Sequence, residues 1–184
     1  MKTSTWLLIA SILLIGLISC DKEDCDCRSD APVLFQYEFV NHAWGYRHQG
    51  FLIDPDGKVL GFKNPKDWRF PDSLGFLSEE DLALNREYCD TLCGTVDEDS
   101  LWEFYEDLEK ISNKTIKDHG MMMADAGTGV LSGWVWNEEK EAYENIFLRS
   151  NGDLFKENTD PKAEAIVNWL KRTGEKSNLF WWFD

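Results

Sequence analysis

Few groups in this 184-residue chain have types and spacing suited to chemistry. His42, His48 and His119 are its three imidazoles, and their spacing assembles no catalytic set. The zinc-protease H-E-x-x-H pattern, the G-x-S-x-G nucleophile turn, the P-loop and the dinucleotide-binding glycine fingerprint do not occur. No catalytic residue is assigned, and a small hydrolase with one of the histidines as general base ranks lowest among the functions considered. The densest stretch is Asn41-His42-Ala43-Trp44-Gly45-Tyr46-Arg47-His48. Aromatic faces stack on sugars or peptides, and guanidinium and imidazole groups add directed hydrogen bonds. Trp44, Tyr46, Arg47 and His48 are therefore candidate ligand contacts, against the plainer reading of a strand end whose rings complete the core. Trp134 and Trp136, two positions apart, join them, with Trp68, Trp181 and Trp182 completing a set from which a platform could be built. Tryptophan is usually largely buried, so most of these five are expected in the core.

The metal-ligating types give less. Asp54 and Asp56 could offer oxygens to calcium, but Asp54-Pro55-Asp56-Gly57 has turn residues in turn order and lacks the longer ligand ladder of an EF-hand. Cys89, Cys93 and His119 have zinc-binding types. In an exported chain a Cys89–Cys93 disulfide is expected instead, with the helix before Gly94 ending there, since a regular i,i+4 helical spacing is poor disulfide geometry. Neither a metal nor a cofactor is expected. The 34 acidic residues offer many carboxylate pairs, whose separation the sequence does not supply. Asp125–Gly129 reads as a loop, and Met121-Met122-Met123 as a strand entering the core.

These groups must be held by elements. Val33, Phe35, Tyr37 and Phe39 alternate with Gln36 and Glu38, which predicts a strand with one face in the core. Runs at 50–53 and 58–62 flank the 54–57 turn as a hairpin. Residues 64–73, punctuated by Pro65 and Pro71, read as a loop with Trp68 and Phe70 pinned to the core. Ser78 caps a helix whose Leu84, Tyr88 and Leu92 form one buried row. A second helix spans about 100–112, with Leu101, Phe104, Tyr105, Leu108 and Ile111 at helical spacing. Strands follow at 130–136, 143–149 and 154–156, the last two joined at Asn151-Gly152. Asp160 caps and Pro161 opens a final helix expected to stop at Gly174; residues 178–184 form an aromatic tail. Strands, helices, strands and a helix in that order imply an α+β fold: a largely antiparallel sheet with about three helices packed on one face, in a single domain.

The chain's first residues point to export. Lys2 precedes an apolar run from Trp6 to Ile18, too short for a transmembrane helix of ~20 residues, and the run stops at charged Asp21-Lys22-Glu23-Asp24. Leu17-Ile18-Ser19-Cys20 resembles a bacterial lipobox, which implies cleavage before Cys20, acylation of that cysteine and attachment to a membrane through lipid. Lys22-Glu23-Asp24 resembles the acidic surface-export signal of lipoproteins from the Bacteroidota, implying an outer-membrane lipoprotein that faces outward. Asp72-Ser73-Leu74, Asp90-Thr91-Leu92 and Asp99-Ser100-Leu101 each resemble the site that this phylum O-glycosylates. The resemblance implies a signal peptide at 1–19, a lipidated tether at 20–31 and one domain at 32–184.

Net charge is −15 for the whole chain. That balance excludes ordinary nucleic-acid binding, which neutralises phosphates with Lys and Arg, and adsorption to anionic lipid. With 43% hydrophobic and 14% aromatic residues the chain is expected to fold. The function expected is a membrane-anchored, non-enzymatic binding role for a glycan or protein ligand. The alternative is an acidic inhibitor or immunity-type protein that blocks a basic enzyme.

Overall fold

The computed structural model describes residues 29–177 and 179. The expected signal peptide, Cys20, most of the tether, and Trp181 and Trp182 lie outside these residues. The chain forms β1 (Phe35–Asn41), β2 (Arg47–Ile53), β3 (Lys58–Lys63), β4 (Phe76–Leu77), α1 (Glu79–Glu87), β5 (Thr91–Thr95) and α2 (Glu98–Leu108). A 3-10 turn at Asn113–Thr115 leads to β6 (Ile116–Met121), β7 (Thr128–Asn137), β8 (Ala142–Gly152), β9 (Leu154–Asn158) and α3 (Pro161–Lys176). The nine strands make one antiparallel sheet in the order β5-β3-β2-β1-β7-β8-β9-β6, with β4 paired to β8. This is a single α+β domain with three α-helices, the class that the order of sequence patterns implied.

Local chemistry sets the boundaries. In the β2–β3 hairpin, Asp54 Oδ1 accepts from the Lys58 amide at 2.9 Å, and Gly57 takes the left-handed conformation (φ +73°) that a side chain disfavours. Ser78 accepts from the Asp81 amide at 3.1 Å and caps α1. Asp97 caps α2, accepting from Ser100 N at 3.0 Å, and the helix begins at Glu98, two residues earlier than the pattern alone placed it. Asp160 caps α3 with Pro161 in its first turn. Gly174 does not end that helix; it is buried within the last turn, which runs on to Lys176.

Three expectations fail for identifiable reasons. Leu92 does not continue the row of α1: it pairs with Leu60 in edge strand β5 and is exposed, because sheet hydrogen bonds take over after the Tyr88 cap. Met121, Met122 and Met123 do not enter the core; Met121 ends the other edge strand, the next two follow it in a loop, and they stand 74%, 62% and 54% exposed. Gln36 is not on an open face but 4% exposed. The sheet is covered on both sides, so a polar alternate position is buried too.

On one face Phe35 meets Tyr105 of α2 edge-on at 6.3 Å and Trp169 of α3 at 5.1 Å. On the other the 64–75 segment crosses the strands, with Trp68 stacked on Phe62 at 4.3 Å. Helix α1 is fastened to that crossing, since Asn85 both accepts from and donates to the Arg69 backbone, at 2.8 and 2.7 Å. Each large side chain sequestered this way contributes about 1.5–3 kcal/mol.

The sheet has two ends, about 20 Å apart along the seven residues of β1. The chain enters at the first, where Ala31 is buried and Ser29 Oγ lies 3.1 Å from the Tyr105 hydroxyl. The core thus starts within the stretch expected to be tether. At the far end the 42–46 loop meets the 122–127 loop through Asn41 Nδ2 donating to Asp125 O at 3.2 Å. The start of the 64–75 crossing joins them there, with Asn64 Oδ1 accepting from His48 N at 2.8 Å.

Close packing across β1 and β2 yields a test. A methyl group on Gly50 would overlap the Tyr37 carbonyl oxygen and press on Phe62. Gly50→Ala should cost about 3 kcal/mol and lower the melting temperature by roughly 6–12 °C in a thermal denaturation series.

Candidate functional site

At the far end the structure separates the sequence candidates into an exposed set and a buried set. Trp44 is 79% exposed and Tyr46 50%, and Arg47 is exposed beside them. Phe70, from the crossing segment, adds a fourth exposed group at 54%. These side chains stand on a loop whose base is fixed by β1–β2 pairing, Asn41 opposite Arg47. Asn41 Oδ1 also accepts from the Ala43 amide at 2.8 Å, which shapes the turn. His42 lies 5.3 Å from the Tyr46 ring.

His48 belongs to the buried set. Its side chain is fully enclosed, with Phe62, Trp68 and Phe70 at ring distances of 5.2, 5.1 and 5.5 Å and Tyr46 at 6.2 Å. Nε2 lies 2.5 Å from Glu38 Oε1. Glu38 Oε2 accepts from Gln36 Nε2 at 3.2 Å, and Gln36 Oε1 accepts from Trp134 Nε1 at 3.1 Å. Trp134, Gln36, Glu38 and His48 thus form one relay across β7, β1 and β2. Trp134 is 1% exposed and works inside this relay, so it offers no ring to a ligand. The relay holds His48 in place beneath Tyr46 and Phe70, and those two rings form the outer layer of the site. Sequence reading missed Glu38 and Gln36, which looked like the solvent side of β1. The signal for them is the register, which sets Gln36 opposite Ser132 and Val40 opposite His48.

Trp136 is elsewhere. Eight residues along β7 from Thr128, it lies roughly 27 Å from the far end, 37% exposed and 5.1 Å from the Tyr143 ring. Together with Trp102 and Tyr105 these two rings line a cleft of about 1010 Å³ at the end where the chain enters. Eight carboxylates share that lining, among them Glu98, Glu103 and Glu106 of α2. Burial, with Glu79, Tyr105 and Asp30 nearby, pushes the Tyr143 hydroxyl up to about 12.

The metal and thiol candidates are not brought together. The expected Cys89–Cys93 disulfide is not formed: both thiols are free. Cys89 donates to Asn85 O at the end of α1, and Cys93 donates to Thr91 O in β5, each at 3.4 Å. Burial above all, then Asp90, pushes the Cys89 thiol up to about 12. His119 sits on β6, at the opposite edge of the sheet from β5, with Nε2 2.8 Å from Glu157. Asp54 is spent on the fold: Arg86 Nη2 donates to its Oδ2 at 2.6 Å. Among the described residues no group of three His, Cys, Asp or Glu side chains is arranged to hold a metal, and no helix is long and apolar enough to cross a membrane.

No family model matches the chain, and neither a curated protein nor a solved structure matches it.

The relay can be tested by removing its acid. Glu38→Leu takes away the hydrogen-bond partner of His48 Nε2 and of the Gln36 amide. A loss of about 2 kcal/mol, or roughly 4–8 °C in melting temperature, is expected by calorimetry. A change under 1 °C would mean that the relay contributes nothing to the fold.

Proposed function

We propose that this protein is a lipid-anchored, non-enzymatic binding module whose ligand-facing surface is the far end of the sheet. The observation that carries the reading is the exposure of Trp44, Tyr46 and Phe70 there, at the end opposite Ser29. Large rings are costly to leave in water, and monomers seldom concentrate them at one place without a partner to cover them. A chain tethered through Cys20 enters the domain at the acidic end, so its aromatic loops project away from the anchor. The acidic cleft would then face the membrane, where anionic headgroups repel it. The His48 relay fits a supporting role, since a rigid base beneath two rings reduces the ordering cost of binding.

Ser73 is the O-glycosylation resemblance that fits best as a modification site in this reading. It lies exposed in the Asp72–Gly75 turn, whereas Thr91 Oγ1 donates to Asp90 and Ser100 Oγ to Asp97.

The cleft favours a second reading, an acidic protein that blocks a basic partner. One comparison separates the two. The mature chain, residues 20–184 produced directly with Cys20→Ser, lacks both leader and lipid and should give soluble protein for binding assays against glycan and surface-protein panels. Replacing both Trp44 and Tyr46 by Ala should weaken ligand binding about thirtyfold while the melting temperature stays within about 2 °C, because neither ring is in the core. Binding that survives this change but is lost in Glu103→Lys would favour the cleft instead.

A further inference from the structure

We infer that the far end takes a protein partner whose contacting surface sets carboxylates beside an apolar anchor. This inference rests on the reading of the far end as the binding surface and adds the chemistry of what binds there.

Two properties of that end carry it. The first is composition. Trp44, Tyr46 and Phe70 share the far end with Met121, Met122 and Met123, so six large apolar side chains on three loops are exposed there. The methionines belong to this end because Met122 N donates to Asp153 O at 3.0 Å, and Asp153 in turn accepts from Ala126 and Gly127 of the loop bonded to Asn41. Sugars are gripped by flat rings and polar groups. A run of thioethers offers neither, but it does offer flexible, polarisable side chains that repack against an irregular protein surface. Aromatic residues, Met and Arg are the types enriched where proteins bury one another.

The second property is charge. The protein is strongly acidic, yet Arg47, Lys63 and Lys66 are exposed at this end and make no ion pair among the described residues. Lys63 closes β3 beside Asn64, the residue bonded to His48, and Lys66 follows in the same loop. Of the acids nearby, Asp153 is turned inward onto loop amides, while Asp67, Asp125 and, beside Lys63, Asp90 are exposed, so cations and acids are about balanced at this end. The acid-rich cleft is at the other end. A carboxylate-bearing surface therefore meets Arg47, Lys63 and Lys66 in a near-neutral setting at the far end and is repelled by the eight carboxylates at the near one, which sets orientation. A basic partner would be drawn to the wrong end.

The test uses the mature chain with Cys20→Ser and three fluorescent probes: a peptide interleaving Asp and Glu with Leu and Phe, the same peptide with Lys for every acid, and acidic oligogalacturonates. Anisotropy should show the acidic peptide binding and the Lys peptide not binding through this end. Affinity should fall about tenfold between roughly 50 and 300 mM salt, and about tenfold again in Arg47→Glu with Lys66→Glu. Both substitutions are on exposed side chains, and an unchanged melting temperature confirms the fold. Failure of the acidic peptide to bind would overturn the inference, as would equal binding of both peptides or binding of the saccharide alone. Sedimentation that shows self-association lost in Trp44→Ala would overturn it in favour of a second copy. If binding depends on Trp44 and Tyr46 but not on Arg47 and Lys66, the binding surface stands and the partner chemistry falls. If neither pair matters, both fall.

Discussion

Glu38 and His48 meet 2.5 Å apart inside the sheet layer, and much of the architecture follows from pairing that carboxylate, although Nδ1 of the enclosed imidazole finds no hydrogen-bond partner among the described residues. A carboxylate placed there needs hydrogen-bond donors, and it finds them in the imidazole on β2 and the Gln36 amide. Gln36 then needs a donor for its own oxygen and takes the Trp134 indole from β7. The three central strands are therefore locked in register by side chains as well as by their backbones. A one-residue slip of β1 would turn Glu38 toward Phe35's face, where Tyr105 and Trp169 offer an aromatic layer instead.

The same constraint explains the cover on that face. A relay of this kind is stable only under a roof, and the 64–75 segment supplies one by laying Trp68 and Phe70 against His48. Asn85 of α1 fixes the segment by its Arg69 backbone. Phe70 and Tyr46 are the last ring layer before solvent. The proposed binding surface and the buried relay are thus two sides of one structure, with the relay giving the exposed rings a firm base.

The sequence showed most of the local elements, because their signals are local. The Asp54–Gly57 turn, the Ser78 and Asp160 caps and the period-two runs of β1 and β7 depend on neighbours in the chain. The order of elements was enough for the α+β class. What stayed hidden depends on distant partners. Gln36 and Glu38 looked solvent-facing because alternation reports that two faces differ, not that one is open. His48 and Trp134 looked like ligand groups because the sequence does not reveal that one relay uses both. Strand β6 was missed because Ile116-Lys117-Asp118-His119-Gly120-Met121 has no alternation to read; its pairing with β9 alone makes it a strand. Met121–Met123 were misplaced for the related reason that hydrophobicity predicts burial only where something is available to cover it. The exposure of Trp44, Tyr46 and Arg47 follows from the sequence, since a short turn carrying three large side chains has little core to enter.

Acid at the entry end and rings, thioethers and exposed cations at the other make the molecule polar along its strands. The central claim is that the far end is the one presented to partners. Hydroxyl-radical footprinting of the anchored protein on intact cells, read by mass spectrometry, addresses it most directly. The account predicts rapid oxidation of Trp44 and Met121–Met123, slow oxidation of the exposed Trp136 at the entry end because the proposed anchor holds that end against the membrane, and protection of Trp134 in the core. Rapid oxidation around the acidic cleft with Trp44 and the methionines shielded would contradict it, since the domain would then sit the other way round.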